Sequence, residues 1–175
     1  NKLKFIINSL FSFLVCGGTW GWITTAPVIL MEHAHISAVH FGWIMLISAA
    51  IPFGLSGYTN AKLVKKFGTG VMLCFGWICI LLSGILMLLA YHLFGINTWS
   101  VILPVMLFYF GSMYIYPNAF ARAFTPFAHI AGVAGALYSG FQLLGAAIFS
   151  AVMAHLPSST PDPLALVFLL VAVVS

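Results

Sequence analysis

The sequence predicts an all-α membrane protein, and three observations predict it. Of its 175 residues 63% are hydrophobic and only 5% charged, with a mean hydropathy of +1.15; a soluble domain of this size could not keep such a surface in water. The apolar residues fall in runs of roughly 20, the length at which a helix crosses the hydrocarbon core of a bilayer. Finally, the six Lys and Arg residues and the two carboxylates fall in opposite sets of connections between the runs, the asymmetry that orients membrane helices.

The spans follow in order. The first covers residues 5–31, the second 40–58, the third 70–93, the fourth 101–120 and the fifth 130–154. A sixth opens near Leu164 and reaches residue 175; about a dozen residues are too few to cross as a helix, so the sequence reads as one part, residues 1–175, of a longer polypeptide. Lys2 and Lys4 precede the first span, Lys62, Lys65 and Lys66 fall between the second and third, and Arg122 falls between the fourth and fifth, whereas Glu32 and Asp162 fall on the other side. That distribution places the N-terminus and the basic loops in the cytoplasm. A signal peptide does not fit the start, because the apolar run continues through Trp20 to Met31 without a small-residue cleavage site.

At an offset of 90 residues Pro27 falls on Pro117, Gly42 on Gly132 and Ala50 on Gly140. Such an offset suits two three-helix repeats, which an odd number of crossings sets in inverted orientation. Pro27, with Gly17, Gly18 and Gly21, marks the first span as a helix able to bend. Pro117 interrupts the fourth span by withholding an N–H from the Met113 carbonyl.

Candidate site residues lie on helix faces. In the fourth span Tyr109, Ser112 and Tyr116 recur at i, i+3 and i+7 and so share one stripe, continued by Phe120; a cavity wall and plain packing or interfacial anchoring both suit it. In the fifth, Gly132, Gly135, Ala136, Ser139, Gly140, Ala147, Ser150 and Ala154 gather on a small-residue face expected to pack against a neighbouring helix. Tyr138, Gln142, Gly145 and Phe149 lie opposite. An amide as deep as Gln142 needs a partner or water, which leaves an interhelical hydrogen bond and a substrate contact both open. The first span adds Trp20, Thr24 and Thr25.

Several chemistries find no footing. The complete spans hold no Asp, Glu, Lys or Arg, hence no intramembrane proton relay. There is no nucleophile paired with a base, no phosphate loop after a strand, and no H-E-x-x-H helix, so an enzyme is not expected and no cofactor is implied. His33 and His35, beside Glu32 and near His40, lack a second ligand pair at defined spacing, and no metal is expected. Cys16, Cys74 and Cys79 sit in apolar runs as small buried hydrophobes. The cations are topology determinants rather than a nucleic-acid footprint.

The residues PNAFARAFTPFAHIAGVAGALYSGFQLLGAAIFSA, Pro117 to Ala151, resemble the signature of the Bcr/CflA-type multidrug efflux transporters of the major facilitator superfamily. Gly57, Lys62, Lys65 and Lys66 are similar to the glycine and cationic positions of that superfamily's G-x-x-x-D-R-x-G-R-R loop motif, with Ala61 in place of the aspartate and Val64 in place of the second glycine. The resemblance implies the C-terminal six-helix half of a drug:proton antiporter of the bacterial inner membrane, its last helix incomplete, with an N-terminal half that carries the acidic coupling residues. It implies export of small amphipathic drugs, and with it antibiotic resistance, through a cavity between the halves. Trp20, Thr24, Tyr109, Ser112, Tyr116, Tyr138 and Gln142 are the expected substrate contacts. A metabolite or osmolyte carrier of the same superfamily and a non-transporting membrane scaffold are the alternatives.

Overall fold

The computed structural model describes residues 2–157 and 160–174; Ser175, the last residue of the sixth expected span, lies outside them. The described residues are helical apart from short connections. Helix α1 spans Lys2–Pro27 and runs into a π-helical turn, Val28–His33; α2 spans Ala38–Phe94, α3 Thr98–Phe124, α4 Ala131–His155 and α5 Asp162–Val174, with a 3₁₀ segment, Thr125–Ile130, between α3 and α4. Four of these elements are long and apolar enough to cross a membrane, while α5, with 13 residues, is shorter. The chain is a multi-pass α-helical membrane protein.

Helix starts follow local chemistry. Ser37 caps α2, its hydroxyl bonded to the His40 ring at 2.7 Å. Asn97 opens α3 with a reciprocal capping box: its side-chain oxygen accepts from the Trp99 and Ser100 N–H groups at 3.0 and 2.9 Å, and the Ser100 hydroxyl accepts from the Asn97 N–H at 3.1 Å. These bonds satisfy donors that the first turn cannot pair within the helix.

The 57 residues of α2 are not one rod. Gly68, at φ 79° and ψ 165°, occupies a region essentially closed to side-chain-bearing residues, and there the chain reverses. Tyr114 of α3 reports the reversal directly, because its hydroxyl bonds Thr59 at 2.7 Å while its ring packs on Phe75 at 4.8 Å. The two arms of α2, residues 38–67 and 69–94, therefore flank the same part of α3. This corrects the expectation of a loop carrying Lys62, Lys65 and Lys66. Those residues sit on the helical first arm, since nothing between Tyr58 and Phe67 breaks a helix, and one glycine makes the turn.

Close approach fixes the rest. A Cβ on Gly76 would lie 2.8 Å from the Gly111 carbonyl oxygen, and one on Gly111 2.7 Å from that of Gly76, so the second arm and α3 touch backbone to backbone. Helix α5 buries Leu164, Ala165, Phe168 and Val171, one stripe at helical spacing, and Phe168 stacks on Phe108 at 4.1 Å. Helices α1 and α4 run parallel: Ser12 bonds Tyr138 and, further along both helices, Thr24 bonds Ser150. Phe5 meets Phe124 and Phe127, so α3 ends where α1 and α4 begin. Arg122 reaches Gly70, just past the reversal. All six basic residues thus gather at one end of the molecule, and Glu32, His92 and Asp162 at the other, where the last two pair at 3.6 Å.

Candidate substrate groove

Where α1, α3 and α4 meet, an open groove of ≈ 530 Å³ is lined by Cys16, Met113, Tyr116, Pro117, Phe120, Tyr138, Ser139 and Gln142. Cys16 and Gln142 lie near the middles of α1 and α4. The walls are aromatic: Tyr138 meets Phe120 edge-on at 5.5 Å, and Phe120 stacks on Phe124 at 4.0 Å. Offset and edge-to-face pairs of this kind hold rings in fixed orientation. The hydroxyl of Tyr138 is occupied by Ser12, and the Tyr116 phenol sits among Cys16 and Thr19. No described residue hydrogen-bonds the Gln142 side chain, which leaves a half-buried amide available at the groove. No charged side chain lines it.

The expected substrate contacts separate. Tyr116, Tyr138 and Gln142 come together in the groove. Trp20, 45% exposed, lies one turn beyond Cys16 on α1, and Thr24 one turn further; these positions share a face at i, i+4 and i+8. Tyr109 is buried against Phe53, ring to ring at 5.0 Å. Ser112 is fully buried and donates to the Phe108 carbonyl at 2.8 Å. Neither Tyr109 nor Ser112 borders the groove; Phe53 of the first arm of α2 covers Tyr109.

The small-residue face of α4 corrects a second expectation. Ala136, Ser139, Ala147 and Ala154 are exposed, and Cβ atoms on Gly132 and Gly140 would meet nothing within 4 Å. Against α1 the helix presents its other side: Gly145 lies on the Phe13 carbonyl, Phe149 on Gly17 and Met153 on Gly21. The small residues that accept these side chains belong to α1, so Tyr138, Gly145, Phe149 and Met153 form the face of α4 that packs there, and most of the small face, Ser150 apart, is left uncovered.

Sequence reasoning missed two features. Cys16 belongs to the groove and was legible only through its shared face with Trp20 and Thr24. Between α2 and α3, Asn118 donates to the Asn60 side-chain oxygen and to the Tyr114 carbonyl, each at 2.8 Å, next to the Thr59–Tyr114 bond. Asn60 and Asn118 are both buried. Gly57 approaches Met113 of the groove wall, while towards the basic end Lys62 lies over the Tyr58 ring at 4.2 Å, Lys66 lies over Phe67 at 5.2 Å, and Lys65 is exposed.

A multi-pass helical chain whose groove offers aromatic rings and a free amide, and holds no charge, has the features of a membrane transporter for apolar or amphipathic molecules. The chain is 35% identical over 106 residues, 61% of its length, to Multidrug resistance protein D of Escherichia coli (strain K12). The aligned part spans about a quarter, 26%, of that relative. The chain matches no protein-family profile. The similarity bears out the resemblance to multidrug transporters.

Proposed function

We propose that this chain is the C-terminal six-helix half, built of two inverted three-helix repeats, of a proton-driven drug exporter in the bacterial inner membrane. The observation that carries the reading is the groove itself, aromatic and uncharged around one unpaired amide, in a chain similar to a multidrug resistance protein. A drug would stack on Tyr116, Phe120 and Tyr138 and take a hydrogen bond from Gln142, a contact set that tolerates many apolar shapes. Trp20 and Thr24 extend the path along α1, and Tyr109 and Ser112 hold α3 in place behind it. The outward small face of α4 suits close packing against the companion half, and rocking of one half on the other would expose the groove alternately. With no carboxylate in the complete spans, the proton-accepting acid belongs to that companion.

The test is export by the full-length polypeptide in bacteria lacking their own drug pumps. Accumulation of several unrelated amphipathic drugs should fall, and a protonophore should restore it. Gln142→Ala should lower export of hydrogen-bonding drugs about fivefold, the factor for one lost hydrogen bond of about 1 kcal/mol. Transport of a single metabolite without drug export would overturn the proposal, as would full export by Gln142→Ala combined with Tyr116→Ala.

A further inference from the structure

A second concavity, ≈ 310 Å³, lies at the basic end between α1 and α4, away from the substrate groove. Its walls are Phe5 and Ile6 of α1, Ile130 at the end of the 3₁₀ segment, and Val133, Leu137 and Phe141 along α4, with Lys2 at its end. From Val133 to Phe141 the α4 part of the wall runs about 12 Å at a rise of 1.5 Å per residue. Its lining offers no polar group, Lys2 entering it with the alkyl stem. A peptide backbone or a hydrogen-bonding drug would lose its partners there, whereas a hydrocarbon chain has none to lose. Lys2 and Lys4 are exposed, and both acidic residues of the chain, Glu32 and Asp162, lie at the far end. The positive charge at the crevice is therefore uncompensated by any carboxylate of this chain.

We infer that this crevice binds an anionic phospholipid, one acyl chain lying along the wall from Ile130 to Phe141 and the headgroup phosphate paired with Lys2. Shape selects the chain and charge selects the headgroup. The inference needs only that the protein is embedded in a bilayer, so it stands apart from the drug-export reading.

Native mass spectrometry of the full-length protein, delipidated and then titrated with phosphatidylglycerol or phosphatidylcholine of matched acyl chains, tests it. Phosphatidylglycerol should be retained about fivefold more strongly, the factor that one lysine at an anionic headgroup contributes. Lys2→Gln, an exposed substitution, should remove that preference and leave phosphatidylcholine binding unchanged. Val133→Trp, which fills the crevice, should weaken both lipids; quenching by bromine-labelled phosphatidylglycerol of the fluorescence that this substitution adds would locate the chain independently. Equal retention of the two lipids by the unaltered protein would overturn the inference. So would an unchanged preference in Lys2→Gln, or displacement of phosphatidylglycerol by an uncharged drug with Lys2→Gln indifferent, which would assign the crevice to substrate instead.

Discussion

A buried amide that loses its partner has no water to turn to, and this decides how Asn60 and Asn118 contribute. Their bond, 2.8 Å and buried, ties the first arm of α2 to α3 beside Pro117, the residue that gives no N–H to the Met113 carbonyl at the groove wall. Interhelical hydrogen bonds in membranes couple by about 0.6 kcal/mol on average and up to about 1.7. The pair also shares a neighbourhood with Thr59 and Tyr114, so its coupling should lie in the upper half of that range. A double-mutant cycle of Asn60→Ala and Asn118→Ala, read by resistance to unfolding in a denaturing detergent, should give about 1 kcal/mol. Asn118→Ala should lose more than the coupling, because it leaves the Asn60 amide buried and unpaired, whereas Asn60→Ala leaves Asn118 its bond to the Tyr114 carbonyl. Additive losses would show that the two amides stand independently.

At the scale of elements, the reversal in α2 rests on one residue. Gly68, at φ 79°, would carry a side chain there only under strain of about 1–3 kcal/mol, more for a β-branched one. Gly68→Val should lower the yield of folded protein and the temperature of aggregation, whereas Gly42→Val, at a site with nothing within 4 Å of its Cβ, should change neither by as much. Equal behaviour of the two variants would show that the chain turns elsewhere. The helices themselves were legible, because a bilayer demands runs of a set length and the sequence supplies them. The turn was not: Lys62, Lys65 and Lys66 look like a loop, yet lysines with Ala61 and Leu63 also sustain a helix to the next glycine. The two faces of α4 were legible for the same reason, periodicity, while the choice of which face turns inward was not. That choice depends on α1, whose Gly17 and Gly21 leave room for Phe149 and Met153. Tyr116, Tyr138 and Gln142 could be found from their spacing, and Ser112 shares the same spacing while pointing into the protein; periodicity assigns a residue to a face but says nothing of what covers it.

For the whole molecule, the distribution of charge is the strongest statement. The fold brings Lys2, Lys4, the three lysines of α2 and Arg122 to one end through separate contacts, Phe5 on Phe124, Thr59 on Tyr114 and Arg122 at Gly70. Lys and Arg near the ends of membrane spans are retained on the cytoplasmic side, and here all six lie at one end. The basic end should therefore face the cytoplasm. In a background with Cys16, Cys74 and Cys79 replaced by alanine, Lys65→Cys and His33→Cys place single thiols at the two exposed ends. A membrane-impermeant maleimide added to intact cells should label His33→Cys and spare Lys65→Cys until the cells are lysed. Labelling of Lys65→Cys in intact cells would reverse the orientation, and with it the leaflet that feeds the crevice at Lys2.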